Sequence, residues 1–248
     1  GDVEGAESPL FNDDSWRTLD LPHDWSIENL PNQEPDNVVG PFSRESIGAT
    51  ATGYTVGGTA WYRKTFTLDK DKRFNQTIII FDGVYMNSEV WVNGKLAGIQ
   101  PYGYTAFQFD ITELLNAPGQ PNVLAVKVKN EGKNSRWYSG SGIYRHVWLI
   151  QKQPLRIEHN GVFVNTESIS ENEANITITA TVENSTNAGV DVSLQIRIID
   201  GNGKVATTSK TPVRNINRGS EDIIQHITVP QAKLWSHETP NLYTAEVK

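Results

Sequence analysis

The stretch NSRWYSGSGIYRHVWL, Asn134 to Leu149, packs two Trp, two Tyr, two Gly, two Arg and a His into sixteen residues. Aromatic faces suit the C–H faces of sugars. The planar five-donor guanidinium of Arg136 suits hydroxyl-rich ligands or a carboxylate. The same residues can also pack the corner of a β-sandwich, with Trp137, Tyr138 and Tyr144 flanking a tight, positive-φ backbone at Gly140 and Gly142. Other chemistries lack their residues. The five His (His23, His146, His159, His226, His237) are scattered, with no HExxH, and neither a GxSxG elbow nor a Walker loop occurs. Gly140-Ser141-Gly142 resembles a phosphate nest only superficially, because no helix follows it. Paired carboxylates remain as a route to hydrolysis. Most acids fall in loops or at solvent-facing strand positions, and the two Asn-Glu pairs, Asn130-Glu131 and Asn172-Glu173, are no more than composition alone delivers.

The totals set limits on partners. The 248 residues suffice for two ordinary domains or one large one, and 37% hydrophobic content with a mean hydropathy of −0.45 describes a globular chain. No apolar run approaches the roughly 20 residues that span a bilayer. A net charge of −7 without Lys/Arg clusters argues against nucleic acid and anionic membranes, and for a neutral ligand or a protein partner. The absence of Cys excludes disulfides, thiolate catalysis and Cys-ligated metals. No cofactor and no metal site is expected. Gly at position 1, rather than Met, is read as a processed or trimmed start, so any leader lies outside this chain.

Strands must position these residues. Ile176 to Glu183 (ITITATVE) alternates apolar and polar side chains with period two, and Val190 to Ile198 (VDVSLQIRI) does the same, placing Val190, Val192, Leu194, Ile196 and Ile198 on one face of one strand. Asn93-Gly94, between two strand-like runs, predicts a type I′ hairpin. Thr77–Phe81, Val123–Val128 and His146–Ile150 add strands, and Asp110 to Asn116 (DITELLN) predicts one or two capped turns. Six of seven Trp precede Pro154. Before it lie long irregular connections, notably Asn29 to Thr59, of a length that usually carries function. After it come clean alternation and short turns such as DGNGK (Asp200 to Lys204), the rhythm of an immunoglobulin-like sandwich without its disulfide. The chain is read as all-β, two sandwiches spanning 1–153 and 154–248.

Five segments then carry a resemblance in order: Gly1 to Glu28 (GDVEGAESPLFNDDSWRTLDLPHDWSIE), Gly57 to Phe66 (GGTAWYRKTF), Phe81 to Gly98 (FDGVYMNSEVWVNGKLAG), Tyr102 to Thr112 (YGYTAFQFDIT) and Ser135 to Leu149. Together they resemble the N-terminal region of glycoside hydrolase family 2, nearest to the β-galactosidase branch of gut Bacteroidetes. Lys233 to Val247 (KLWSHETPNLYTAEV) resembles the segment that closes this family's first immunoglobulin-like domain. The resemblance implies a jelly-roll sugar-binding domain followed by an immunoglobulin-like sandwich. A (β/α)₈ barrel with two catalytic Glu would follow beyond Lys248, and relatives carry a further strand-forming segment before the position of Gly1. Neither Asn-Glu pair lies on a barrel strand, so no catalytic residue is carried over, and the chain itself is expected to be inactive.

By the same resemblance the segment around Arg136 lies near the barrel mouth. Arg136 is the leading candidate for touching sugar or ordering a barrel loop, with Tyr138 and Ser135 behind it, and some branches carry an acid near the Arg136 position. Asp24 is a fourth candidate, set against a turn-capping role beside Trp25. The aromatics of PYGYTAF, Pro101 to Phe107, are read as packing a corner, and Glu89 as structural. The implied partners are a β-galactoside and the barrel of the parent chain, with a homo-oligomer left open. A periplasmic or secreted location is what the resemblance favours. Two other readings stand beside this one: a stand-alone carbohydrate-binding module, and a structural spacer or oligomer interface. β-Galactosidases, β-glucuronidases and β-mannosidases share this front end, so the sugar itself stays open.

Overall fold

The computed structural model describes residues 1–28, 38–39, 42–68, 74–133 and 139–248. They form two compact units, Gly1–Lys152 and Gln153–Lys248. Strands dominate both, and the helical content of the described residues is a few 3₁₀ turns. The fold is a jelly-roll sandwich followed by an immunoglobulin-like sandwich.

In the first unit the strands are β1 (Val38–Val39), β2 (Phe42–Ser43), β3 (Gly58–Thr67), β4 (Gln76–Phe81), β5 (Ser88–Val92), β6 (Lys95–Gln100), β7 (Phe107–Asp110), β8 (Pro121–Asn130) and β9 (Val147–Lys152). β1 and β2 pair with each other, and the rest form two antiparallel sheets ordered β3-β8-β5-β6 and β7-β4-β9. Both sheets feed one core: Ile79 and Phe81 from β4 meet Val90 and Val92 from β5 and Val126 and Val128 from β8. The continuous run Ile78 to Phe81 is buried on both faces, as befits the central strand of its sheet. The β5–β6 turn has the two positive φ angles that Asn93-Gly94 predicts, 50° and 79°. The Asn93 side chain also donates to Leu114 O (2.9 Å) and accepts from Val123 N (2.9 Å), which fixes the turn against β8. Asp110, one residue before the N-cap Ile111, accepts from Thr112 N (3.0 Å) and Oγ1 (2.6 Å) at the start of the 3₁₀ turn Thr112–Leu114.

One buried cation organises the irregular start of the chain. The Arg63 side chain, 4% exposed, pairs with Asp13 (2.8 Å). It also donates to the carbonyls of Ala6 and Ser8 and lies 5.3 Å from the centre of the Phe11 ring. A buried guanidinium holds its charge by filling its donor fork in this way.

The second unit comprises β10 (Leu155–Ile169), β11 (Glu173–Asn184), β12 (Val190–Val192), β13 (Gln195–Asp200), β14 (Val205–Lys210), β15 (Arg214–Ile216), β16 (Gly219–Pro230) and β17 (Tyr243–Val247). Its sheets are β10-β11-β16, β14-β13-β17 and the pair β12-β15. On β11, Ile176, Ile178, Ala180 and Val182 point into the core. The run Val190 to Ile198, expected as one strand, divides. β12 pairs with β15, whereas β13 pairs with β14 and β17. At the break, Leu194 N donates to Thr211 Oγ1 (2.8 Å) and Thr211 N donates to Leu194 O (2.9 Å). The alternation survives because Leu194, Ile196 and Ile198 still meet the same core; periodicity reports which face is buried, not which strand is the neighbour.

Phe81 is fully buried, and its ring stacks on Phe107 with centroids 5.0 Å apart. Phe81→Ala is expected to destabilise the first unit by about 3–5 kcal/mol. Tryptophan fluorescence in a urea titration reads this directly, since six of the seven Trp belong to that unit.

Candidate functional site

Ser135, Arg136 and Tyr138 lie outside the described residues, as does Trp137. The described chain ends β8 at Asn130 and resumes at Ser139. Asn130 Nδ2 reaches across to Ser141 Oγ (2.7 Å) and to Gly140 O (3.3 Å). Ser141 Oγ donates in turn to Val56 O (3.1 Å). Glu131, the acid after Asn130, accepts from Thr59 Oγ1 on β3. The Ser139 hydroxyl is buried and has no hydrogen-bond partner among the described residues.

Asp24 braces the return. Its Oδ1 accepts from Ser26 N (2.9 Å), Ser26 Oγ (2.6 Å) and Ser141 N (2.8 Å). The first two cap the 3₁₀ turn Trp25–Ile27; the third ties that turn to a residue 117 positions away. Backbone bonds run alongside, from His23 N to Ile143 O (2.8 Å) and from Trp25 N to Ser141 O (2.9 Å). The two glycines serve different ends. Gly142 has φ +132°, and a Cβ there would stand 2.4 Å from Tyr62 Oη. Gly140, expected to supply positive φ, does not; a Cβ on it would stand 2.3 Å from Asp24 Oδ2. What Gly140 provides is space for the carboxylate.

A charged network backs this brace. His23 Nδ1 lies 2.7 Å from Tyr62 Oη, and its Nε2 lies 2.8 Å from Glu28 Oε1. Arg17 Nη2 donates to Glu28 Oε2 at 2.5 Å. The Arg17 hydrogen bond holds the Glu28 carboxyl below the usual glutamate range, with His23 assisting against the opposing effect of burial. Burial pushes the Tyr62 phenol up, so it stays protonated. These four residues come from positions 17 to 62, and no local pattern announced them. The one cue was Asp24 followed two residues later by Ser26, a side-chain turn signal.

Two further features bear on ligand binding. An open groove of about 980 Å³ runs along β3 and β9, which are edge strands among the described residues, and is walled by Tyr62, Phe66, Ile79, Phe81, Val147 and Leu149. Its apolar walls come from the sandwich interior, and its polar lining comes from Asp13, Arg17, Asp20 and His23 in the N-terminal segment and from Arg63 and Lys64 on β3. The PYGYTAF corner also departs from expectation. Phe107 packs into the core, but Tyr102 and Tyr104 are 56% and 57% exposed. Among the described residues, no group of three or more His, Asp or Glu is placed to hold a metal ion.

Comparison with known proteins decides the family. Residues 7–154 match the model of the "Glycosyl hydrolases family 2, sugar binding domain", and residues 155–248 match that of "Glycosyl hydrolases family 2". The chain belongs to glycosyl hydrolase family 2. This family 2 chain is 42% identical over its whole length to the beta-galactosidase BoGH2A of Bacteroides ovatus, covering 28% of that protein. It is 30% identical to a beta-glucuronidase of Formosa agariphila, over 96% of this chain and 25% of the relative. Among solved structures, a family 2 member from Bacteroides cellulosilyticus superposes on all of this chain with a TM-score of 0.91 and 37% identity, over 31% of that chain. The family 2 chain thus spans roughly a quarter to a third of the length of these relatives.

Asp24→Ala removes three hydrogen bonds at one oxygen and strands Ser141 N in a closely packed turn. A loss of about 1–3 kcal/mol is expected by urea denaturation, with Asp24→Asn recovering part of it. The Glu28 network carries a pH signature. Because the Glu28 carboxyl is held low in the folded unit, its stabilisation is complete above the ordinary glutamate value of about 4.3 and fades as pH falls through the lowered value. Glu28→Gln should lower Tm at neutral pH by about 2–4 °C, for a partly exposed pair worth about 1 kcal/mol. The difference from the parent chain should vanish in scans taken below that acid range.

Proposed function

We propose that this chain is the non-catalytic front of a retaining β-galactoside hydrolase. Its jelly-roll unit helps wall the substrate site and supports a (β/α)₈ barrel carried elsewhere in the parent polypeptide. The observation that carries the reading is the 42% identity, over the whole chain, to a relative named a beta-galactosidase. The braced return at Gly140–Gly142 supports it. A loop presented to a sugar needs rigid ends, and Asp24, Asn130 and Ser141 provide one. Arg136, with Tyr138 and Ser135, is assigned to contact sugar or to order a barrel loop. Asp24 Oδ2, beside Gly140, is assigned a supporting place behind them. In the barrel one Glu would attack the anomeric carbon while the other protonates the leaving oxygen, the two carboxyls standing about 5 Å apart.

The test uses the parent gene and this chain side by side. The full-length protein is expected to release nitrophenol from p-nitrophenyl β-D-galactopyranoside, and the 248-residue chain to release none. In the full-length protein Arg136→Ala should lower kcat/KM by about ten- to a hundredfold, a substrate-orienting contribution rather than loss of the chemistry. Turnover by the short chain would refute its non-catalytic role. Unchanged kinetics in Arg136→Ala would leave only a structural support. A full-length preference for a glucuronide would move the substrate assignment.

A further inference from the structure

The exposed tyrosines between β6 and β7 have no role in the fold described so far. Tyr102 and Tyr104 stand edge to face with centroids 5.7 Å apart, and Tyr104 stands edge to face with the buried Tyr85 at 5.1 Å. Their loop is tied down. Tyr144 Oη donates to Gly103 O (2.8 Å), Asn87 N donates to Pro101 O (3.2 Å), and Gln100 Nε2 donates to Tyr102 O (3.3 Å) and to Thr105 Oγ1 (3.2 Å). Gly103 lies so close to the Tyr85 ring that a Cβ would stand 2.3 Å from it. The loop is therefore seated on Tyr85 from beneath while its two neighbouring rings face outward. Residue 85 also exchanges backbone hydrogen bonds with Gly142 (2.9 and 3.0 Å), so this loop adjoins the braced return of the candidate site. Beside Tyr144, Arg145 is exposed and forms no ion pair among the described residues.

We infer that Tyr102 and Tyr104, with Arg145 at their margin, form a second carbohydrate-binding surface that takes a pyranoside chain. The rings offer flat apolar faces to sugar C–H groups, and the phenol and guanidinium tips offer hydrogen bonds to hydroxyls, a pairing of body and tip that amphipathic side chains supply together. Tyrosine gives such contact at low entropic cost, and here the loop is already ordered by its own bonds. Tyr104 contributes one edge contact to Tyr85, yet both rings stay more than half exposed, and this clustered aromatic surface is what the fold leaves open to a ligand. The choice of a β-galactoside chain as occupant rests on the proposed function; the surface itself does not.

The test is affinity electrophoresis of the 248-residue chain through native gels containing soluble β-1,4-galactan, with glucuronoxylan and galactomannan gels run in parallel. Galactan should retard the chain and its Tyr102→Phe/Tyr104→Phe variant alike. Retardation of Tyr102→Ala/Tyr104→Ala should need about tenfold more polysaccharide, with its circular dichroism unchanged. Equal retardation of the alanine variant, or no retardation in any gel, would overturn the proposal. Tyrosine-dependent retardation by glucuronoxylan or galactomannan alone would keep the surface and remove the galactoside reading. Hydrolysis by the full-length protein reports separately on that reading.

Discussion

One oxygen atom carries much of the organisation of the first unit. Asp24 Oδ1 caps its own 3₁₀ turn and also accepts from Ser141 N, so the irregular N-terminal segment and the return into β9 are fixed to each other. The adjoining backbone bonds from His23 and Trp25 repeat the connection on either side. Carboxylate acceptance from several donors is strong because the charge is shared among short bonds. With Oδ1 held in this way, Oδ2 lies where a side chain at residue 140 would stand, so that position has to remain glycine.

The charged residues of this unit divide into two classes that differ in what they hold. Arg63 is buried and satisfies its fork with carbonyls of the chain start and with Asp13, so its role is local order in an otherwise irregular stretch. Arg17, Glu28 and His23 sit nearer solvent and lie beside the carboxylate brace. Screening makes each surface contact worth little alone. Their value lies in the shared geometry, because His23 links the Glu28 carboxylate to the Tyr62 phenol on β3 and so couples the segment to a sheet.

Strand identity was legible because burial imposes period two. Ile176, Ile178, Ala180 and Val182 announce their face, and Asn93-Gly94 announces its turn through a backbone requirement that few other pairs meet. Partner choice was not legible. The run Val190 to Ile198 keeps one buried face while changing sheets, and only the long-range pairing with β15, β14 and β17 reveals the change. The site followed the same division. The crowding of Arg, Trp, Tyr and Gly in Asn134–Leu149 singled out the region, and Asp24 was recognised with its capping alternative. Gly140 was misassigned, since its need for space comes from a carboxylate 116 positions earlier in the chain. Tyr102 and Tyr104 were placed in a packed corner because aromatic composition does not say which rings turn outward; that depends on Gly103 resting against Tyr85.

The Gly140-Ser141-Gly142 triplet shows why a short motif needs its neighbours before it can be read. As a string it resembles a phosphate nest. In the fold Ser141 N is taken by Asp24, and Ser141 Oγ bridges Asn130 and Val56. Gly142 N and O are both engaged with Tyr85. Donors already bound cannot cradle an anion, and a carboxylate beside Gly140 would repel one. What the triplet does instead is bring three distant segments, around residues 24, 56 and 85, to one point. The order of this point in the fold is inherited from those segments, through side-chain and backbone bonds that no short motif encodes.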